Sequence, residues 1–371
     1  MAIEVQGLLT GAGLVMRGQA APAAASAEAD LVSAPAALMP IADQALKALI
    51  TEQAQTTAPQ AVTSISQAAV RQASLAPLLA DLAQAVEAGA LPAPVQAAAE
   101  RILELRVPTE PAPTGAVIRQ AQAQSGLQLE ARMAPEVASP SPAPGTPPGP
   151  PPDLKAALLV FRELLTAWLP EDPAPSPPPA SRPPPPPYRG GPTTAQRPVA
   201  PSLPPEADPQ LVGLRLLHET GAVLARQQLL QLASVPDPSP PGAATTDSQR
   251  PQWTFEIPFA TPQGATVAQF EISRDGGGGP GQAERTPIWR ARFSLDLEPL
   301  GPVHAEVALM GDRAGVSLWA ERPDSLSVLN DQRADLSAAL REAAFTPEVA
   351  IHAGAPHRPT PAAGRFVDQA T

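Results

Sequence analysis

Four histidines, His218, His304, His352 and His357, are the residues of this 371-residue chain best suited to acid–base or metal chemistry, and they are scattered. None falls in an HExxH or His-x-x-His pattern, no carboxylate stands beside one at ligand spacing, and there is no cysteine. Neither a histidine nor a thiolate metal site can be assembled from such spacing. His304 alternates with apolar residues and reads as a solvated imidazole on the outer face of a strand. Asp296 and Glu298 share one strand face and could act as a carboxylate pair. With Arg290 and Arg292 on that same face, the simpler reading is a charged, solvent-facing surface. No GxSxG elbow occurs, and the serines lie mostly in proline-rich stretches. The run Asp275-Gly-Gly-Gly-Gly-Pro-Gly281 lacks the spacing of a phosphate-binding loop and no helix pattern follows it, so it reads as a flexible connection. Pro185-Pro186-Pro187-Tyr188 matches the pattern read by WW modules, but a chain with 52 prolines produces such matches by chance. The sequence therefore holds no catalytic constellation, no metal set and no cofactor motif, and reads as a non-enzyme.

The elements around these residues are clearest near the C-terminus. Trp289, Ala291, Phe293, Leu295 and Leu297 alternate with Arg290, Arg292, Ser294, Asp296 and Glu298, the period of a strand with one apolar side. Val303, Ala305, Val307 and Leu309 repeat the pattern, and Val316 and Leu318 continue it after a Gly311-Asp312 turn. Upstream, Trp253, Phe255, Ile257 and Phe259 precede a Thr-Pro-Gln-Gly turn, and Ala268, Phe270 and Ile272 form the inward set of the returning strand. Arg322-Pro323-Asp324-Ser325 signals a helix start, and Leu326, Leu329, Leu336 and Leu340 mark one stripe of a single long helix ended by Thr346-Pro347. Val349 and Ile351 suggest a last strand. The fold class is α+β: an antiparallel sheet with one long covering helix, preceded by a largely disordered Pro/Ala-rich arm with short helices.

The expected organisation has five segments. Residues 1–134 form a low-complexity arm with short amphipathic helices at Ile41–Thr51, Ser74–Glu87, Ala93–Leu105 and, more weakly, Ala116–Leu129. Residues 135–206 are a proline-rich linker on an extended path, at about 3.1 Å per residue, enclosing a helix at 153–169. Residues 207–250 hold a helix, Pro209–Leu232, and a loop; Gly213 and Gly221 weaken that helix and suggest bends. Residues 251–354 are the compact domain and 355–371 a flexible tail. With aromatics at 3% and most Trp and Phe after Trp253, the C-terminal third is expected to hold the one substantial core. A net charge of −11 without basic runs argues against a nucleic-acid partner, and no apolar run reaches membrane-spanning length, so no stable membrane insertion is expected. Glu4 and the glycines at 7, 11 and 13 argue against a cleaved signal peptide in Met1–Ala25.

From Leu295 to Ile351 the sequence resembles the C-terminal domain of the flagellar hook-length control protein family. Leu295, Leu300, Gly301 and Val303 fit its Leu-x-Pro-x-x-Leu-Gly-x-Val pattern, and Val316, Leu318, Ala320, Glu321, Leu329, Leu336 and Leu340 follow in register. The family's proline falls on Leu297, with Pro299 and Pro302 placed nearby instead. The resemblance implies an exported regulator that is cytoplasmic before secretion through the flagellar type III apparatus. Its arm gauges the growing hook, and its C-terminal domain acts on the cytoplasmic domain of the export-gate switch protein, turning export from hook to filament subunits. It also implies a partner-binding set of Leu295, Leu300, Gly301, Val303, Ala320, Glu321 and Leu329, with hook and hook-cap subunits as further partners. A cysteine-free arm of roughly 250 residues extends to at most about 800 Å at ~3.3 Å per residue. The rival reading is a non-exported adaptor whose proline runs present ligands.

Overall fold

The computed structural model describes residues 58–138, 152–170, 183–204, 206–236, 250–275 and 286–356. The alternating segments pair into a seven-stranded sheet in the order β1 to β7. Its strands are β1 (Val107–Pro108), β2 (Gln252–Thr261), β3 (Gly264–Asp275), β4 (Ile288–Leu297), β5 (Gly301–Met310), β6 (Arg313–Ala320) and β7 (Thr346–Ala353). β2 to β6 form an antiparallel meander, while β1 and β7 add to its edges in parallel.

Register sorts the side chains onto two faces. Phe255, Phe270, Phe293, Ala305, Leu318 and Ile351 lie side by side across the front. Phe255 stacks on Phe270 at 5.4 Å between centroids, and Phe270 on Phe293 at 5.3 Å. The front is covered at β6–β7 by α8 (Pro323–Asp331) and α9 (Arg333–Glu342), and at β1–β2 by α4 (Gly115–Ala123). The expected single covering helix is thus two. The chain breaks at Gln332, which leaves helical geometry at φ −91°, ψ 1° directly after Asn330-Asp331, two poor helix formers.

The back face of β2–β3 carries the helices of the N-terminal half. These are α1 (Ala58–Arg71), α2 (Leu75–Glu87), α3 (Ala93–Glu104), α5 (Leu129–Ala138), α6 (Leu154–Trp168) and α7 (Pro209–Ser234). Their caps follow from sequence: Ser74 accepts from the Ala76 N–H, Asp153 from Ala156 and Asp208 from Gln210. Leu78, Leu79, Leu82, Ile102, Leu158, Phe161 and Leu216 are fully buried in one cluster that reaches Ala265 and Val267 of the sheet. A substantial core therefore exists outside the C-terminal third, and it is built of leucine and alanine, which a count of aromatics does not register. α7 runs unbroken through Gly213 and Gly221, so neither interrupts it. Gly213 instead admits Trp168, whose ring would lie 2.5 Å from any Cβ there. The Ile41–Thr51 stripe and the glycine run after Asp275 lie outside the described residues.

Residues 183–204 have almost no regular structure, yet they cross the molecule between helices and sheet as a strap. Gln196 makes an antiparallel bridge to Val267, with backbone bonds of 3.0 Å in both directions. The Pro184 carbonyl accepts from Gln72 and the Pro185 carbonyl from Arg226, so the proline run is engaged within the fold.

A corner at the β4–β5 turn and the polar row behind it

Six of the expected partner-binding residues, all but Leu329, lie at one end of the sheet. Leu295, Val303 and Ala320 stand in a row across β4, β5 and β6, and Leu297 pairs with Gly301. Leu295 and Val303 are half-buried, Leu300 is half-buried in the turn, and Leu329 is half-buried on α8. Ala320, 1% exposed, is a packing residue whose carbonyl accepts from the Gly354 N–H at 2.8 Å. Buried as it is, Ala320 can influence a partner only through the shape of the corner. Glu321 is exposed and directly follows β6.

Gly301 shows why this turn needs glycine. Its φ is +70°, and an added Cβ would lie 2.3 Å from Arg322 Nε. Arg322 closes the corner: it donates twice to the Glu298 carboxylate, at 2.9 Å each, and to the Pro299 carbonyl at 2.9 Å. The Glu298 carboxyl is held below its ordinary range, first by that hydrogen bonding from Arg322. Ser325 does not cap α8; its hydroxyl donates to the Leu300 carbonyl and ties the helix to the turn.

The back of the sheet carries a second constellation. Glu256, Gln269, Ser294, His304, Trp319 and His352 pair in register across β2 to β7, a polar row spanning six strands. The strap meets this row residue by residue: Gln196 donates to Glu256 at 2.7 Å, Thr194 to Gln269 at 2.8 Å, and Thr193 lies 2.7 Å from Ser294. Arg226 of α7 also donates to Glu256, at 2.7 Å, and both side chains are 1% exposed. His304 is 8% exposed, not solvated: Nδ1 lies 2.6 Å from Ser294 Oγ and Nε2 3.0 Å from Glu321 Oε1. The strap and neighbouring strands cover the face that alternation alone assigns to water.

Asp296 and Glu298 likewise part company. Asp296 is buried with one carboxylate oxygen unbonded, and burial first, then the charge of Glu298, raises its pKa; Glu298 is exposed on Arg322. Arg290 and Arg292 neutralise Asp275 and Glu271 on β3 instead. Ser294, His304 and Glu321 have the composition of a hydrolytic triad. Yet Ser294 is 0% exposed, with Thr193 set against its Oγ, so a substrate cannot approach the hydroxyl. Among the described residues no group of three or more His, Asp or Glu could hold a metal ion, and no helix is long and apolar enough to cross a membrane.

The corner, β4–β7 and the two helices that cover β6–β7 all lie within one stretch, residues 277–359. That stretch matches the family model of the flagellar hook-length control protein FliK. The C-terminal region of this chain is thus of the hook-length control type. No curated protein and no solved structure matches. Of the functional features, sequence reasoning missed the polar row because its members sit on six strands and look like ordinary alternation. The pairing of His304 with Ser294 was findable only after the β4–β5 register was fixed.

Proposed function

We propose that this chain is a flagellar hook-length control protein, exported through the flagellar type III apparatus, whose C-terminal domain switches export from hook to filament subunits. The family match over the corner carries the reading. The corner supports it: Gly301, Leu300 and Glu321 stand where turn, strand end and helix start meet, and Leu300 and Glu321 present side chains at the surface. The partner that fits is the cytoplasmic domain of the export-gate switch protein. The engaged proline run speaks against the adaptor reading, since Gln72 and Arg226 occupy its carbonyls.

The folded helical layer sharpens the ruler idea. α1 to α7 and the strap shorten the arm far below its extended reach, so passage through a narrow channel requires this layer to unfold. The test replaces Leu300 or Val303 by Ser and measures hooks and secreted flagellin, with circular dichroism of the purified variants as the folding check. Folded variants with overlong hooks and little flagellin support the switch role. Folded variants with normal filaments refute it.

A further inference from the structure

One hydrogen-bond chain joins the strap to the corner. Thr193 Oγ1 lies 2.7 Å from Ser294 Oγ, and Ser294 Oγ lies 3.0 Å from the Thr193 carbonyl. Ser294 Oγ is 2.6 Å from His304 Nδ1, and His304 Nε2 is 3.0 Å from Glu321 Oε1. Each step crosses one element: strap to β4, β4 to β5, β5 to the residue after β6. The ring orientation that sets Nδ1 on Ser294 also sets Nε2 on Glu321, so one contact fixes the other. Glu321 in turn donates its N–H to the Pro302 carbonyl at 3.3 Å and directly precedes Arg322, which closes the corner.

The attachment of the strap differs along its length. Val199 and Leu203 pack into the large apolar cluster, whereas Thr193, Thr194 and Gln196 are held through polar bonds to the row. Lifting the 193–196 stretch therefore breaks polar bonds, including those of Gln196 to Ser74, Leu75, Glu256 and Thr266, and no contact of the apolar cluster.

We propose that strap docking and corner geometry form one two-state latch: the seated strap holds Glu321 on His304, and lifting it releases the Glu321–Arg322 side of the corner. The latch belongs to the folded chain; it rests on the hook-length reading only for the identity of the partner that gains access. Coupling of this kind is reciprocal, so loosening the corner must loosen the strap equally.

Amide hydrogen exchange of the purified full chain reads both ends. Thr193→Val is expected to speed exchange at 194–196 and also at 321–326, by roughly two- to ten-fold, the range one neutral hydrogen bond gives. Glu321→Ala is expected to speed exchange at 194–196, where the Gln196 amide bonds the Val267 carbonyl. Thr193→Ser, which keeps the hydroxyl, leaves both regions at the wild-type rate. The latch is overturned by faster exchange in the strap alone, by no change at either end in Thr193→Val, or by a strap indifferent to Glu321→Ala. If these exchange results hold while cells lacking the chain build ordinary flagella, the latch stands and the hook-length reading fails.

Discussion

Replacing Gly301 by alanine probes the corner with a quantity that follows from its geometry. At φ +70° an L-residue carries the left-handed backbone cost of about 1–2 kcal/mol. The new Cβ would also sit 2.3 Å from Arg322 Nε and 2.8 Å from its Cδ and Cζ, too close to be tolerated. The guanidinium is the end of a flexible side chain and can swing away, but doing so breaks its bonds to Glu298 and the Pro299 carbonyl. Gly301→Ala should therefore lower unfolding stability by at least about 1–2 kcal/mol, read as an earlier urea midpoint in the fluorescence of the sheet tryptophans. Pairing it with Arg322→Ala removes the collision and keeps the backbone cost, so the double variant should lose less than the sum of the single losses. Wild-type stability in Gly301→Ala, or strict additivity in the pair, would refute the account of the corner.

Arg226→Met leaves Glu256 buried without its countercharge and should cost about 3–5 kcal/mol in a urea titration, most of it recovered in Arg226→Met/Glu256→Leu. Burial first, then the Asp81 charge, raises the Glu219 carboxyl from 4.5 to about 8, although Arg215 opposes this. Glu219 thus binds its proton more tightly in the folded chain. Its contribution is full below pH 4.5 and disappears as pH rises through about 8, a loss of about 5 kcal/mol. Glu219→Gln should flatten the fall in melting temperature over that window, and an unchanged slope would exclude Glu219 as its source. Two glycines of α7 should respond with opposite signs in thermal melts. Gly221→Ala meets nothing within 4 Å and should stabilise by about 0.5–1 kcal/mol, whereas Gly213→Ala meets the Trp168 ring and should destabilise.

The sheet was legible because its signal is local. Alternation from Trp253 to Ile351 gives the strands, and Gly264 and Gly311 mark two of the turns between them. The helices α2, α3, α6 and α7 were legible from their leucine stripes to within a few residues. α1 escaped because Ala58–Arg71 carries alanine and valine where a stripe of leucines would announce it. The strap escaped for a different reason. Its hold on the sheet comes from Thr193, Thr194 and Gln196, small polar residues whose partners lie 60 or more positions away. Of the candidate site, the Leu300-Gly301 turn was legible as a motif, but Arg322 as the group that excludes a side chain at 301 was not. Alternation alone reads His304 as solvated, because it reports which face a residue takes and not what lies against that face.

The central claim is hook-length control, and hook length measured by electron microscopy tests it most directly. Residues inserted between 171 and 182, which lie outside the described residues, should lengthen the hook in proportion to the insert, and deletions there should shorten it. In a strain lacking the chain, hooks should be overlong and without filaments. Hooks of unchanged length in the insertion strains, together with ordinary filaments in the strain lacking the chain, would contradict the account.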